Sequence, residues 1–467
     1  MRSSHDFDLC VLGAGSAGYA AATTARSMGK SVALVDGTAP LAGLCILRGC
    51  MPSKTLLRSA EIAHLTRIAP ALGVHPGDVR VDVGEIVRRK DRIIADFADD
   101  RVNGIKKFPL FLGAPRFVSR SSLVVGQDRI RARRFVVATG SIIDVPPIPG
   151  LHETGFLTSD DVLNLTRLPA SVIVLGGGAT AVELAQYLAR VGAHVTVVQR
   201  SEALLSCEDP DVGAALRSAF EGEGIVVRTG TRLVQVERAG ERKRVRFESN
   251  GVEEAVEADE VFAALGRKPN VDGFGLDAAG IAYDRGGVKT DRYLRTSNPH
   301  IFAAGDVTGA YELVHVAVYG GQLAARNAFT RSPKPINYDL IAARAVFTDP
   351  QVAVAGLTER ELTERHIAYE KASFPFDDLG KAITADLTKG FIKMMVSPEG
   401  RILGVTIIGA EAADLIHESI ALIYFKAKCH DVMEMPHLHP TLAEIITYPA
   451  EELCERTQHE CHAVVTP

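Results

Sequence analysis

Cys45-Ile46-Leu47-Arg48-Gly49-Cys50-Met51-Pro52-Ser53-Lys54 sets two cysteines five positions apart, with a lysine four positions further on. Such a pair could ligate a metal, fill a core or exchange electrons as a dithiol. Zinc sites want a second ligand pair nearby, and none follows. On an ideal helix, residues five apart lie about 8.6 Å apart between Cα atoms, beyond the roughly 7 Å a disulfide spans. A bonded pair therefore needs a distorted turn, and Gly49 supplies the freedom for one. Redox chemistry is the favoured reading, and buried core thiols are the alternative. A reacting cysteine is a thiolate and wants a base. His439-Pro440-Thr441-Leu442-Ala443-Glu444 offers an imidazole, with a carboxylate five residues on that could hold its tautomer. Taken alone, a histidine before proline is an ordinary loop residue.

The elements that must position these groups are written in an internal repeat. Residues 7–36 and 170–199 match at a constant offset of 163: Gly13 with Gly176, Gly15 with Gly178, Gly18 with Ala181, Gly29 with Gly192, Asp36 with Gln199. Each copy is an apolar strand, a glycine turn, a helix with small residues on one face and a second β-branched strand. That is a βαβ unit written twice. The first glycine permits the turn, the second lets backbone approach a pyrophosphate, and the third position lets helix and strand pack closely. The helix N-terminus then presents free N–H groups to the phosphates. A cysteine pair beside such a turn is more plausibly catalytic than structural.

Later strands end in small loops at Ala138-Thr139-Gly140, Ala264-Leu265-Gly266-Arg267 and Ala303-Ala304-Gly305-Asp306. Val145-Pro146-Pro147-Ile148-Pro149-Gly150 reads as a stiff crossing between nucleotide domains. From about Ala345 the character changes: strands are expected over 391–396 and 402–408, an amphipathic helix over 411–428, and a frayed tail over 456–467.

Composition narrows the function classes. The 467 residues are 46% hydrophobic and 23% charged, and 52 basic against 57 acidic side chains leave a net charge of −5. That near-balance gives no support for nucleic-acid or anionic-membrane binding. No apolar run approaches the 20 or so residues of a membrane span. With no signal-peptide pattern at the start, a cytoplasmic location is expected. Seven cysteines are too few for a disulfide scaffold, and their odd number leaves at least one without an intrachain partner.

The motifs GAGSAG at 13–18, the cysteine run ending in Pro-Ser-Lys at 45–54, ATG at 138–140, ALGR at 264–267, AAGD at 303–306 and HPTLAE at 439–444 resemble, in order, the FAD-containing pyridine nucleotide–disulfide oxidoreductases. Lipoamide dehydrogenase, glutathione reductase and mercuric reductase are members. The resemblance covers essentially the whole chain. It implies an α/β fold of two Rossmann-like nucleotide-binding domains, for FAD and NAD(P), plus a C-terminal α+β dimerisation domain. The implied spans are 1–150 with 271–335 for FAD, 151–270 for NAD(P) and 340–467 for the interface of a homodimer.

By the same resemblance, FAD is expected on Gly13, Gly15, Gly18, Asp36, Lys54, Thr139, Gly140, Asp306 and Val314. Asp36 would meet the adenosine ribose, Asp306 the ribityl–phosphate part, and Lys54 the reactive nitrogen of the flavin ring. NADP or NAD is expected on Gly176, Gly178, Ala181, Glu183, Gln199, Arg200, Gly266 and Arg267, with Glu183 near the nicotinamide and paired with Lys54. Gln199-Arg200 in place of an acid favours NADP. Cys50 is expected against the flavin and Cys45 outward to substrate. His439, oriented by Glu444, would be the acid–base and would come from the other subunit.

The implied reaction moves electrons between NAD(P)H and a small disulfide or dithiol, or a lipoyl-protein, as in lipoamide dehydrogenase. A mercuric-type metal-ion reductase is the alternative, although those enzymes carry a tyrosine in place of the His-Pro pair. A flavoprotein kept as a non-catalytic module is a third reading. No resident metal is expected. The family usually has Gly-Gly-Thr where Ala42-Gly43-Leu44 stands, and often Asn where Leu47 lies. Cys10 and Cys207 read as core or surface residues. Cys454, His459, Cys461 and His462 read as a solvated end, with metal or thiol delivery by that tail as the alternative, and zinc at Cys429, His430 and His437 is disfavoured because His439 is better used as the base.

Overall fold

The structure, a computed structural model, describes residues 4–37 and 40–457. The chain divides into two compact units. One comprises Met1–Leu56, Gly84–Val145 and Gly266–Ile341; the other comprises Leu57–Val83, Pro146–Leu265 and Ala342–Pro467.

The first unit is organised around the strand Ser4–Leu12, which pairs in parallel with Val32–Asp36 on one side and Asp128–Val137 on the other. Leu110–Leu112 and Ile301–Ala303 extend the parallel sheet at its two sides. Leu9 and Val11 pack with Ala17, Ala21 and Ala25 of the helix Ser16–Ser27, whereas Cys10 and Leu12 belong to the core on the opposite face. Both faces are covered, which is why this strand reads as an unbroken apolar run. The small residues of the first helix have a specific use. A β-carbon on Gly321 would lie 2.1 Å from the Ala17 carbonyl oxygen, so the helix Val314–Phe329 meets Ser16–Ser27 backbone to backbone.

The second unit contains a parallel sheet in the order Val226–Arg228, His194–Val198, Ser171–Leu175, Glu260–Ala263, with the helix Ala179–Val191 after its first glycine turn. A three-stranded antiparallel meander runs over Thr231–Ala239, Arg242–Ser249 and Val252–Ala258. The segment from Ala342 forms a five-stranded sheet in the order Arg344–Val346, Gln351–Gly356, Ile402–Gly409, Phe391–Val396, Glu370–Pro375. Its alternate residues Ile392, Met394, Val405 and Ile407 pack with Ile416 and Leu453 of the helices Ala412–Tyr424 and Thr447–Arg456.

The expected strands at 391–396 and 402–408 are present, the second one residue longer. The helix expected over 411–428 is shorter. It stops at Tyr424 because Lys426 turns left-handed at φ +60° and the Ala427 N–H returns to the Leu422 carbonyl.

The cysteines sort differently from the sequence reading at one point. Cys10 is fully buried and Cys207 exposed, as expected. Cys454, grouped above with a solvated end, is fully buried beside Ala450 and Leu453, because that face of its helix packs into the sheet. His459, Cys461 and His462 lie outside the described residues. Cys429 is also a core residue, while His430 Nε2 meets Glu434 at 3.1 Å and His437 Nε2 meets Glu418 at 2.9 Å. His64, Glu223 and Asp349 converge closely enough to hold a cation. The Arg190 guanidinium already stands there, 2.6 Å from Glu223 and 2.7 Å from Asp349.

Candidate active site

The two cysteines stand on either side of a helix break. Cys45 lies in the short helix Leu44–Arg48, and Cys50 opens the helix Cys50–Ile68. Gly49 separates them because the chain doubles back: a β-carbon there would sit 3.1 Å from both the Cys45 Cα and the Leu44 carbonyl oxygen. The break brings the thiols together, which a continuous helix would keep apart. Cys50 bonds the Cys45 sulfur through its thiol and donates its backbone N–H to it. The Cys50 thiol and burial push the Cys45 pKa well above the ordinary thiol range, while that N–H and the Lys54 ammonium oppose the rise. Lys54, one turn along the same helix, is half-buried.

Close approach also builds the neighbouring turn. Gly13 has φ +95°, and a β-carbon there would lie 2.2 Å from the Ala138 carbonyl oxygen; one on Gly18 would lie 1.8 Å from the Gly13 oxygen. Gly15 caps the helix Ser16–Ser27 with no side-chain bond, so the first N–H groups of that helix are left for an anion. Asp36, at the end of the second strand, accepts the Ala14 N–H at 2.8 Å through Oδ2 and so braces the turn. Thr139 donates its hydroxyl to the Asn270 carbonyl at 2.7 Å, and Gly140 follows at φ +71°. Asp306 opens a short 3-10 turn and accepts the Ser141 hydroxyl at 2.8 Å. Arg267 donates to Ser141 as well. Val314 begins the helix Val314–Phe329. Sequence reasoning passed over Ser141, whose only signal was its place directly after Ala138-Thr139-Gly140.

The second unit repeats the turn. Gly176 has φ +116°, with a β-carbon position 2.3 Å from the Ala264 oxygen, and Ala181 is buried against the strand. Gly178 caps the helix Ala179–Val191 without a side-chain bond, and the space over it is open. Glu183 is buried and accepts the Phe347 N–H at 2.9 Å. Gln199 is buried with its amide against Gly177, whereas Arg200 is exposed; Gly266, at φ +128°, belongs to the first unit. Elsewhere in the second unit, His439 Nδ1 lies 3.0 Å from Glu444 Oε2, with the imidazole 79% exposed and the carboxylate 11%. Glu444 thereby favours the tautomer with Nδ1 protonated and Nε2 able to accept a proton.

Two glycine turns built to the same plan and a dithiol on a helix break define a two-nucleotide α/β oxidoreductase with a cysteine redox centre. The chain belongs to the pyridine nucleotide-disulphide oxidoreductase family, whose model matches residues 7–321, and the family's dimerisation domain matches residues 342–450. It is 34% identical to a mercuric reductase of Bacillus cereus, over 95% of this chain and 71% of that one. It is also 34% identical to a dihydrolipoyl dehydrogenase of Chlamydia muridarum, over 94% of this chain and 95% of that one. The fold is shared with the HOCl-induced flavoprotein disulfide reductase RclA of Escherichia coli, at TM-score 0.84 and 23% identity, covering 96% of this chain and 99% of that one.

The family uses FAD and NAD(P)H, and the residues present fit both. Each uncapped helix N-terminus follows a glycine whose missing β-carbon leaves room for a pyrophosphate. No helix among the described residues is long and apolar enough to cross a membrane.

Proposed function

We propose that this protein passes electrons between NAD(P)H and a disulfide or dithiol substrate through Cys45 and Cys50, in the manner of a lipoamide dehydrogenase. The observation that carries this reading is the pair of thiols brought together at the Gly49 break. Gly13, Gly15, Gly18, Asp36, Lys54, Thr139, Gly140, Asp306 and Val314 would hold FAD; Gly176, Gly178, Ala181, Glu183, Gln199, Arg200, Gly266 and Arg267 serve the nicotinamide nucleotide. The spans 1–150 with 271–335, 151–270 and 340–467 serve FAD, NAD(P) and a homodimer interface, in a cytoplasmic enzyme.

FAD, when bound, supplies the two-electron relay between the nicotinamide and the cysteine pair. In the reducing direction the Cys45 thiolate attacks one sulfur of the substrate disulfide. A mixed disulfide forms, and the leaving thiolate takes a proton from the partner subunit's His439, which Glu444 holds in orientation. The Cys50 thiolate then attacks the Cys45 sulfur. That step expels the second half of the substrate as a thiolate, which takes its proton from water, and closes the Cys45–Cys50 disulfide, so the substrate has gained two electrons and the pair has lost two. Oxidation of a dithiol runs the same steps backwards.

Hg(II) reduction is the second reading, favoured by the identity to mercuric reductases. Burial of Cys454 removes one thiol that a metal-delivering tail would need. Anaerobic single turnover of the two-electron-reduced enzyme with lipoamide, small disulfides or Hg(II) tests the choice. Oxidation by lipoamide is the expected result. Reaction with Hg(II) alone would replace the proposal.

A further inference from the structure

We propose that Ser141 and Arg267 are positioning residues that aim the Asp306 carboxylate at FAD, an inference that rests on the reading of Asp306 as a flavin contact. The chain leaves the first unit after Val145 and returns to it at Gly266. Next to those two crossings, Ser141–Ile143 and Arg267–Pro269 pair as a two-stranded antiparallel ribbon. Ser141 reaches the Asp306 loop through its hydroxyl, and Arg267 reaches Ser141 through its guanidinium.

The chemistry of the contact is directional. Arg267 donates Nε–H to the Ser141 oxygen at 2.9 Å and its NH2 group to the Ser141 carbonyl at 2.9 Å. Ser141 has a single hydroxyl hydrogen, and it goes to Asp306 Oδ2 at 2.8 Å. A guanidinium on the serine lone pair polarises that hydrogen toward the carboxylate, strengthening a bond whose acceptor is already charged. That bond fixes the position of one carboxylate oxygen, Oδ2. The loop beneath it is set as well: Gly305 takes φ +79°, and a β-carbon there would press on Ala17 of the helix Ser16–Ser27 at 3.0 Å. Carboxylates crowd here, since burial and the Asp306 charge hold Glu312 above its ordinary range, an effect Arg267 opposes. Arg267, assigned to the nicotinamide nucleotide, thus also bonds the serine that holds Asp306.

The test measures FAD affinity of the full-length protein, by equilibrium dialysis and by recovery of quenched flavin fluorescence, with the fold of each variant checked by circular dichroism. Ser141→Ala is expected to weaken FAD binding about tenfold or more, and Ser141→Thr by less than about threefold. Arg267→Met should match Ser141→Ala, and the double variant should add little to either, because both cut one chain of bonds. Ser141→Thr and Ser141→Val differ only in the hydroxyl, so their comparison serves should the alanine variant fail to fold. Asp306→Asn is the control for the underlying assignment. If it weakens FAD while Ser141→Ala, or Ser141→Val beside Ser141→Thr, binds as wild type, the relay is overturned and the Asp306 reading stands. If Asp306→Asn itself binds FAD normally, both fall. Full additivity of the two losses would also overturn the relay.

Discussion

A β-carbon on Gly43 would lie 2.7 Å from the Cα of Gly15, so the loop entering the cysteine helix rests directly on the turn of the first βαβ unit. Gly43 takes φ +83°, and its neighbour Ala42 takes φ +135° while almost fully buried. The family pattern of glycine at both positions fits this geometry, and the present chain accepts strain at one of them. Gly43→Ala should therefore destabilise by about 2–3 kcal/mol and loosen FAD, whereas Ala42→Gly should stabilise by about 1 kcal/mol. Thermal midpoints with and without added FAD check both. An Ala42→Gly variant less stable than wild type would show that the strain is absent.

The two cysteines differ in surroundings and should differ in spectrum. Cys50 opens a helix of 19 residues, where a thiolate is favoured. Cys50→Ser should abolish the long-wavelength thiolate–flavin absorbance of the two-electron-reduced enzyme. Cys45→Ser should display it without any reductant. A band that survives Cys50→Ser would reverse the two roles.

His439 is 79% exposed although its Nδ1 is bonded to a largely buried carboxylate, the arrangement of a base that works on a group outside its own surroundings. His439→Ala should lower kcat with a disulfide substrate by about 10²–10⁴. Glu444→Gln should cost less, because a neutral acceptor still orients the ring. Mixing inactive Cys45→Ser and His439→Ala subunits should restore part of the activity in mixed dimers. Exchange of subunits without recovery would place base and cysteines in one chain.

Lys393, 2% exposed on the strand Phe391–Val396, meets Asp209 at 2.9 Å and Asp211 at 2.7 Å. Burial pushes the Asp209 carboxyl up, but the bond from Lys393 and the N–H groups of Arg360 and Glu359 outweigh it, and the pKa ends below the usual value. A depressed folded-state pKa contributes stability above about pH 4 that is lost as the pH falls through the folded value. Thermal stability should thus drop on acidification below about pH 4, and the drop should be shallower in Asp209→Asn. Lys393→Met leaves the buried Asp209 carboxylate without its cation and should cost about 3–5 kcal/mol at pH 7. An unchanged acid limb in Asp209→Asn would dismiss the linkage.

The nucleotide preference should turn on the residue that ends the second strand, where the two βαβ units differ in charge. Asp36 ends the second strand of the first, and Gln199 followed by exposed Arg200 ends that of the second. A carboxylate there would repel a 2′-phosphate, whereas a guanidinium can pair with it. Wild type should show the larger kcat/KM with NADPH, and Gln199→Glu with Arg200→Ala should move the ratio at least about tenfold toward NADH. A wild type that prefers NADH would refute the assignment.

The repeated βαβ units, the cysteine motif and the HPTLAE segment were legible because their chemistry is local. A glycine at a crowded turn, a carboxylate after a strand and a histidine five residues from its glutamate each interact within one short stretch, or within a motif whose spacing is constant. The family followed from those stretches in order. Three features were not legible, and each depends on residues far apart in the chain. Cys454 reads as a polar end until Ala450 and Leu453 place its helix against the sheet. Glu183 is named by its motif alone, and only the fold brings it the N–H of Phe347, 164 positions on. Ser141 has no motif of its own, and only the crossover ribbon joins it to Arg267 on one side and Asp306 on the other. Sequence by itself determined the family, and with it FAD and NAD(P), since the motifs that carry the resemblance are short-range demands on residue type. Tertiary structure alone decided which buried polar groups satisfy one another, since a desolvated carboxylate must find a donor from whatever segment the fold delivers.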